Sequence, residues 1–508
     1  MNSDASSTSP TKPRRRWRKA VRVLLFVAAC LLTLLVAFYL VEEARGRAAW
    51  QAYEAEARAR GVKLVQREYL GPPIPDAENF AAIPLFNDTF VTPPPGKPTP
   101  NPLALPFKEG AEQPAFDDPA KGKRIDLAAW QKFFVETGVL AAAGDNPASD
   151  VLKALQKYEP PLAQLREAGK RPASRFPVRW EDGINALLPH LSVVQNAARI
   201  YSLRLATHLA TGQREEALQD FRAGLRLYTA LLSEPVLISG LVRIHVLTLL
   251  ENAVWGGLTA GRWSDAELRA IEGDLARLRL MADYQFSMNS ERGTFNQILE
   301  TIRGQSGRQV AQIVGLAAGA PNPIPGSQAV EAASWSLYPR GWLYRSQIRT
   351  NLYFDEVLAR VSADPPRLDP TRKVHTSPEK KTSALDRTQH LLFYLFAPAV
   401  SAVERRYAYS QAFNDQTRIA CALERHRLTL GKLPETLDAL APEFLEQLPR
   451  DVMTGEPFKY RLLDEGSRFT LYSVGFNQTD DGGKTGGKGN AADQPDWVWQ
   501  YPDSGAHL

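Results

Sequence analysis

The sequence predicts a mainly α-helical protein with an N-terminal transmembrane helix, an antiparallel stack of helical hairpins and a small C-terminal α+β module. Three patterns support this prediction. Residues 23–41 form an uninterrupted apolar run, and apolar residues recur at three and four positions through most of 127–430. Alternation of apolar and polar residues replaces that period within 458–474. These patterns define topology and architecture more closely than activity.

Composition divides the 508 residues into six segments. They are a basic cytoplasmic tail (1–19), the transmembrane helix (20–41), a helical stalk (42–70), a proline-rich linker (71–126), an α-helical domain (127–430) and a C-terminal module (431–508). A chain of this length typically holds about two to four domains.

The apolar run of 23–41 contains no charged residue and no proline. At about 1.5 Å per residue, its helix nearly crosses a hydrocarbon core of roughly 30 Å. Basic residues are dense before the run, whereas Glu42 and Glu43 follow it. Because the basic flank of a span stays in the cytoplasm, we expect a cytoplasmic N-terminus. The bulk of the chain would then lie outside the inner or cytoplasmic membrane.

Two other interpretations of this run are weaker. A cleaved secretory signal has a shorter apolar region that ends at small residues. Here the large residues Tyr39, Leu40 and Val41 precede the acidic pair. Ala44 is the small residue that still allows cleavage at this place. A buried core helix would need more than the short preceding segment to pack against. We therefore predict an uncleaved, single-pass anchor.

Charge and cysteine content exclude several classes of protein. The net charge is +5, and much of it comes from the basic segment before the span. The rest of the chain is therefore close to neutral and lacks the strong positive charge that is typical of proteins that bind nucleic acid. The two cysteines are Cys30, inside the apolar run, and Cys421, in a helical pattern. The part beyond the span is therefore not a disulfide scaffold.

A stalk and a linker follow the span. Helix formers and charge pairs four residues apart, such as Glu54 with Arg58, predict that the helix continues to Gly61. Proline recurs throughout 71–120, including the TPPPGKPTP stretch. Because proline fixes the backbone and removes a hydrogen-bond donor, we expect an extended wrap here.

Helical periodicity dominates the central domain. It covers 127–140, 151–165, 184–209, 214–232, 236–258, 265–280 and 385–430. Short connections with glycine or proline separate the first six, which is typical of antiparallel helices. Gly212, Ala217, Phe221 and Gly224 have the spacing of the turn, packing and aromatic positions of a tetratricopeptide repeat. We therefore predict helical hairpins that are weakly tetratricopeptide-like.

Three segments in the second half of this domain differ in composition. Gly, Pro and Ser in 303–330 predict a flexible loop, and proline and charge in 362–384 predict an exposed connector. Between them, 335–354 concentrates aromatic residues and arginines. Such a cluster can stack a ligand, but core aromatics with arginines that reach solvent are the commoner arrangement.

The C-terminal module contains a predicted β-hairpin. Residues 458–463 and 469–474 alternate, and turn residues separate them. Asp480 and Asp481 follow in a glycine-rich loop, and Asp493 comes after it. Carboxylates on such a loop suit calcium, which takes about six to eight oxygen ligands. Asp and Gly also cluster in ordinary solvated loops.

Four stretches follow one another in this module: GKLPETLDAL, LPRDVMTGEPFKYR, FTLYSVGFNQTDDGG and NAADQPDW. With Gly455, Pro457, Tyr460, Ser473 and Gly475 at matching positions, they resemble the C-terminal half of the major pseudopilin of type II secretion systems. The resemblance implies a helix that leads into a small sheet and a calcium-binding loop. Its ligands would be Asn477, Asp480, Asp481 and Asp493, although the family has aspartate where this chain has Asn477. Residues 23–41 lack the family's prepilin cleavage site, so we do not expect a pilus subunit.

Three further stretches, PDAENFAAIP, SEPVLISGLVRIHV and PRGWLYRSQ, occur upstream of the same C-terminal ending. With them, nearly the whole chain beyond the span resembles a group of uncharacterised, membrane-anchored proteins of planctomycete and verrucomicrobial bacteria. This resemblance implies a membrane anchor but no particular activity.

Catalytic signatures are scarce. The sequence has no G-x-S-x-G, H-E-x-x-H, phosphate-loop or G-x-G-x-x-G motif. Ser377 and Lys380 form S-x-x-K in the proline-rich connector, which holds a nucleophile poorly, and His208 and His245 lie in apolar helical patterns typical of core histidines. We therefore expect a scaffold or binding protein with protein partners at the cell envelope, and no catalysis. The alternatives are an extracytoplasmic hydrolase with a site between the helices, near 335–353, and an accessory component of a secretion apparatus.

Overall fold

The computed structural model describes residues 14–91, 101–317, 328–378, 382–485 and 491–500. The start of the cytoplasmic tail, the TPPPGKPTP stretch, Lys380 and part of the glycine-rich loop lie outside these residues. The chain forms two compact units, each made of several segments. Unit 1 comprises Met1–Val62, Leu299–Arg349 and Lys381–Leu395, and unit 2 comprises Lys63–Ile298, Thr350–Lys380 and Phe396–Leu508.

Helices dominate the described residues, as the sequence predicts. They are α1 (Arg14–Ala59), α2 (Pro84–Asn87), α3 (Leu127–Glu136), α4 (Pro147–Leu155), α5 (Glu159–Ala168), α6 (His190–Ala210), α7 (Arg214–Ala230), α8 (Leu237–Thr259), α9 (Asp265–Leu275), α10 (Leu280–Arg303), α11 (Gly307–Ala317), α12 (Gln328–Leu337), α13 (Arg340–Leu358), α14 (Ala384–Gln389) and α15 (Leu391–Leu430). The strands are β1 (Val361–Ala363), β2 (Pro366–Leu368), β3 (Lys459–Leu463), β4 (Arg468–Ser473) and β5 (Trp497–Trp499).

The predicted apolar run lies within α1, which continues without a break from Arg14 to Ala59. This helix is long and apolar enough to cross a membrane, and 0% of its most apolar window is buried. Helix α8 passes the same test of length and composition, but 61% of its window is buried, as in the core helix of a globular domain. After α1, Gly61 has φ +79°, a left-handed conformation that glycine adopts without strain.

One face of α1 is buried beyond the apolar run. Trp50, Tyr53 and Ala57 recur at three and four positions and are 6%, 8% and 0% exposed. This spacing places the three side chains on one stripe of the helix. The part of α1 after the span is therefore packed along that stripe.

A close backbone contact between α1 and α13 allows Glu42 to be buried in unit 1. A Cβ at Gly46 would lie 2.5 Å from the Gly341 carbonyl oxygen, too close for any side chain. The Glu42 carboxylate accepts hydrogen bonds from Trp342 Nε1 at 3.0 Å and from Arg345 Nη2 at 2.7 Å. The first acid after the apolar run is thus paired, which offsets the penalty of removing its charge from water.

Helices α6, α7 and α8 pack against one another in unit 2. Ala217 and Phe221 of α7 are both 0% exposed. A Cβ at Gly224 would lie 2.5 Å from Leu250 Cδ2 of α8, so glycine permits this close approach. The hairpin stack and its tetratricopeptide-like character remain predictions.

The proline-rich segment contributes to the core of unit 2. Phe80, Phe86 and Leu103 are at most 1% exposed. Arg171 Nη1 donates to the Asn79 carbonyl oxygen at 2.9 Å. Hydrogen bonds from side chains of this kind satisfy backbone carbonyl groups that have no partner in a helix or sheet.

The small C-terminal sheet is antiparallel, with strand order β3–β4–β5. The predicted hairpin is present as β3 and β4, and Tyr460 lies opposite Leu471. Strand β5 pairs with β4 and contributes Trp497 and Trp499, which are each 1% exposed. The Trp499 ring stacks on Phe469 of β4, and the Trp497 ring packs edge-to-face on Tyr409 of α15, so the sheet shares its apolar core with that helix.

Regular structure also occupies parts of two segments for which the sequence predicts a loop and a connector. Helix α11 lies within 303–330, and β1 and β2 form an antiparallel pair that overlaps 362–384. A Cβ at Gly307 would lie 2.1 Å from the Ala332 carbonyl oxygen, so this glycine is a packing contact between α11 and α12. Composition alone does not distinguish such a contact from flexibility.

Candidate functional site

A cavity of about 570 Å³ lies in unit 2. The C-terminal part of α13 and the segment after β2 form one wall, α15 forms another, and the C-terminal module closes a third side. This volume is within the range of sites that hold small ligands. The charged residues of its lining are Arg360, Arg372, Lys373, Arg405, Arg406, Glu404 and Asp493.

Arg360 joins the segment after β2 to α15. It donates from Nη1 to Glu404 Oε2 at 2.8 Å, and from Nη2 to the Pro370 carbonyl oxygen at 2.8 Å. Its Nε donates to the Asp369 carbonyl oxygen at 3.1 Å. Because all three nitrogens are engaged, this guanidinium shapes the wall of the cavity.

Arg405 joins α15 to the C-terminal module. Its Nη1 lies 2.6 Å from Asp493 Oδ1, and its guanidinium lies 4.8 Å from the centre of the Phe476 ring. The ion pair and the cation–π contact fix the side chain in one orientation. Like Arg360, Arg405 already has an acidic partner.

Glu404 is buried in the wall, at 5% exposure. Burial raises the pKa of this carboxyl to about 7, although Arg360 and Arg405 act in the opposite direction. Its Oε1 has no hydrogen-bond partner among the described residues. Near pH 7 the carboxyl is therefore partly protonated, and Oε1 is a buried atom whose hydrogen-bonding capacity is unused among the described residues.

The remaining cations of the lining are exposed. Lys373 and Arg406 form no ion pair within the described part of the chain. Arg372 donates from Nη1 to the Ala359 carbonyl oxygen at 2.6 Å. Since both acids of the lining are paired with arginine, the uncompensated charge of the cavity is positive.

Three of the four predicted calcium ligands lie in the loop after β4. Asn477 Nδ2 donates to Asp481 Oδ2 at 3.0 Å. Asp480 Oδ1 accepts from the Gly482 amide at 3.0 Å and from Tyr472 OH at 2.9 Å. These bonds, the amide first, lower the pKa of Asp480. The loop therefore already uses these oxygens as acceptors.

The fourth predicted ligand, Asp493, lines the cavity and pairs with Arg405. Over the described ranges, no three His, Cys, Asp or Glu side chains are grouped as a metal site requires. Calcium binding by Asn477, Asp480, Asp481 and Asp493 remains a prediction from the sequence.

The residues that carry the pseudopilin resemblance organise the end of β4. Ser473 Oγ donates to Asp451 Oδ1 at 2.9 Å. Gly475 has φ +67°, and a Cβ there would lie 2.1 Å from the Pro495 carbonyl oxygen. These contacts explain why a hydroxyl and a glycine occur at these positions. The resemblance itself remains a prediction.

Two buried histidines belong to the core of unit 2. His190 is 0% exposed, and its Nε2 lies 2.8 Å from Glu234 Oε1. Its ring stacks on Phe176 with a centre-to-centre distance of 4.2 Å. His208, in the apolar pattern noted above, lies with Nδ1 3.0 Å from Asp220 Oδ2. Closed packing of this kind leaves no room for a substrate at either ring.

Sequence reasoning did not identify the cavity. Two of its cations lie in the segment predicted to be an exposed connector, and the pair at 405–406 lies in a helix recognised only by its period. The available signal was the pair of adjacent basic residues at 372–373 and again at 405–406. Tyr353, at the edge of the segment considered for a hydrolase site, lines the same cavity.

Comparison with known proteins gives no match: no family model matches the chain, and no curated protein or solved structure matches it significantly. These comparisons therefore assign no function to the chain.

Proposed function

We propose that this protein is a single-pass, membrane-anchored binding protein of the cell envelope, and that the cavity of unit 2 takes a small anion. One observation carries the proposal. The two acids of the cavity are paired with Arg360 and Arg405, whereas Lys373 and Arg406 have no acidic partner among the described residues. An anionic ligand would supply the missing partner.

Helix α1 supports the membrane part of the proposal. Its apolar window is 0% buried, and burial in a bilayer would remove a large apolar surface from water. The basic residues before the window favour a cytoplasmic N-terminus, with the rest of the chain outside the cytoplasmic membrane. The hairpin stack, with its tetratricopeptide-like character, would be the scaffold that presents the cavity and contacts protein partners.

The lining also defines the class of ligand. Arginine offers planar pairs of donors that match carboxylate and phosphate, and lysine adds a point charge. Glu404 Oε1 is an unsatisfied buried acceptor when the carboxyl is ionised. A small carboxylate or phosphate that also carries a hydroxyl or amino group fits both features.

Removal of either exposed cation is expected to weaken anion binding about ten- to hundredfold, because one charge-assisted hydrogen bond contributes roughly 1.5–3 kcal/mol. The measurement is calorimetric titration of the full chain in detergent micelles, with citrate and inorganic phosphate as probe anions. The variants are Lys373→Ala and Arg406→Ala. Binding should also weaken as salt is raised, since both cations are exposed.

Lys432→Ala is the matched control, because Lys432 is exposed and does not line the cavity. It should bind both probes as the unchanged chain does. Relative to Glu404→Gln, the affinity of the unchanged chain should rise as pH falls through about 7, because protonation of Glu404 removes a negative charge. Absence of binding at low salt, or equal affinity in the cavity variants and Lys432→Ala, would contradict the proposal.

Calcium is retained as a proposed ligand of the C-terminal module. Under this proposal, the full chain binds calcium in the micromolar range, and a chain with Asp480→Ala, Asp481→Ala and Asp493→Ala does not. The physical reason is that a hard cation prefers carboxylate oxygens. Calorimetric titration with calcium chloride checks this, and heat that is equal in the two chains, or absent from both, removes calcium from the proposal.

A further inference from the structure

We infer that one exposed face of α12, in unit 1, lies in the lipid interface of the membrane that α1 crosses. The inference rests on the proposed membrane span and concerns a surface distinct from the anion cavity. We call this surface the α12 face and define it by Val330, Ala333 and Leu337.

Contacts of α1 within unit 1 determine the depth of this region. Tyr39 OH donates to the Leu337 carbonyl oxygen, and the Phe38 ring lies 6.4 Å from the Trp342 ring in an edge-to-face arrangement. Phe38 and Tyr39 belong to the last turn of the apolar run that ends at residue 41. At about 1.5 Å per residue, they lie within about 5 Å of its end. The boundary between hydrocarbon and headgroups therefore passes close to Leu337 and Trp342.

Aromatic side chains gather at that boundary. The Tyr338 ring lies 5.4 Å from Trp335 and 5.6 Å from Trp342. Tyr338 OH donates to the Thr388 carbonyl oxygen at 2.8 Å, and Trp342 Nε1 donates to Glu42 at 3.0 Å. Tyrosine and tryptophan are enriched at bilayer interfaces because they combine an apolar ring with a hydrogen-bonding atom. This setting gives the aromatic segment a role other than stacking a ligand.

The α12 face and the part of α12 that packs on α11 lie on different sides of the helix. On the packed side, a Cβ at Gly307 would lie 2.1 Å from the Ala332 carbonyl oxygen. On the other side, Val330 and Leu337 are 68% and 67% exposed, and Ala333 is also exposed. Residues separated by three, four and seven positions share one side of a helix. Lipid that covers an apolar surface at this depth removes it from water.

Basic residues border the same region. Arg308, at the start of α11, and Arg340, at the start of α13, are both exposed. Arg340 Nη2 donates to the Gln305 carbonyl oxygen at 3.2 Å, and its other donors have no partner among the residues that the structure describes. Arginines beside an apolar interfacial face attract anionic headgroups. The occupant of the α12 face is therefore the lipid of the surrounding bilayer, with anionic headgroups next to the arginines.

The test measures immersion depth with a nitroxide on single cysteines, in a full chain that carries Cys30→Ala and Cys421→Ala. Leu337→Cys reports the α12 face, Leu32→Cys reports the middle of the proposed span, and Ala55→Cys reports an exposed position of α1 well beyond it. Each protein is reconstituted in vesicles of phosphatidylcholine and phosphatidylglycerol. Collision rates with oxygen, which concentrates in hydrocarbon, and with a water-soluble nickel chelate are then compared.

We expect the ratio of oxygen to nickel collisions to be severalfold higher at Leu337 than at Ala55 and to approach the ratio at Leu32. A ratio at Leu337 equal to that at Ala55, with Leu32 still shielded from nickel, overturns the inference and leaves the span intact. If the collision ratios at both Leu337 and Leu32 equal the ratio at Ala55, the proposed span is wrong, and the inference fails with it. A third outcome is that the nitroxide at Leu337 is shielded from both reagents and its spectrum shows spin–spin broadening that increases with the protein-to-lipid ratio. This outcome identifies a second copy of the chain as the occupant and also overturns the inference.

Discussion

Gly341→Ala is expected to separate α1 from α13 in unit 1 and to cause the largest local loss of stability. A Cβ at Gly341 would lie 2.1 Å from the Glu42 carbonyl oxygen and 2.4 Å from its carbonyl carbon. These are backbone atoms, so relief requires one helix to move away from the other. Movement breaks the bonds of Glu42 to Trp342 and Arg345. Overpacking costs about 1–3 kcal/mol, and a buried charge that loses its partner costs about 3–5 kcal/mol.

Hydrogen–deuterium exchange of the full chain in detergent micelles measures this effect. Amides in 42–59 and 340–349 should exchange faster in Gly341→Ala, while those of unit 2 should not change. Gly273→Ala is the matched control, because Gly273 also lies in a helix but a Cβ there meets nothing within 4 Å. That substitution should be neutral or stabilise α9 by up to about 1 kcal/mol. Equal exchange in the two variants would show that the Gly341 contact has no structural role.

The free energy of unfolding of unit 2 is expected to fall as pH rises from about 5 to 8. Burial raises the pKa of Glu251 well above its ordinary value, that of Asp415 to about 6, and those of Glu404 and Asp117 to about 7. Each of these carboxyls binds its proton more tightly in the folded chain. The stabilisation is complete below the unfolded pKa near 4 and is lost as pH rises through the folded pKa. For Glu404, a rise from 4.5 to about 7 corresponds to at most about 3 kcal/mol.

Glu251 provides the clearest test of this pH dependence. It is 1% exposed, and neither carboxylate oxygen has a hydrogen-bond partner among the described residues. Its ionised form is further disfavoured by Asp415, which accepts from Gln411 at 2.8 Å and from Arg418 at 3.1 Å. Glu251→Gln should therefore raise the melting temperature at pH 8 and reduce its slope with pH.

Melting temperatures of the full chain in micelles, followed by tryptophan fluorescence between pH 5 and 8, check this expectation. Glu446→Gln is the control, since Glu446 is an exposed acid of unit 2 that lies outside the helices. It should melt as the unchanged chain does at every pH. A melting temperature that rises from pH 5 to 8 in the unchanged chain would refute the assignment of these acids as protonated in the folded state.

Features that depend on local sequence were predictable. The apolar run within α1, the helical period around Phe221 and the alternation that forms β3 and β4 each have a repeat that matches one regular structure. The left-handed glycine after α1 was predictable for the same reason, because a helix terminus is decided by a few neighbouring residues. Burial of Phe80 and Phe86 inside a proline-rich segment was not, since irregular backbone is buried only where distant side chains satisfy it.

The candidate site was much less predictable than the fold. The sequence drew attention to the acidic loop at 477–481. The cavity instead combines residues from three segments that together span 360–493, among them Arg360, Lys373, Arg405 and Asp493. Residues that are distant in the chain leave no local spacing to recognise. Even the charge state of Glu404 depends on burial, which no neighbouring residue in the sequence reveals.

The sequence by itself determined the long apolar helix, the predominance of helices and the small C-terminal sheet, because hydrophobic periodicity is a property of consecutive residues. Tertiary structure alone decided that Gly307 and Gly341 are close contacts, that Glu42 is paired, and which cations meet at the cavity. Those features depend on distances between elements that pack together. Such distances are set by the shapes of many side chains at once, so no single stretch of sequence encodes them.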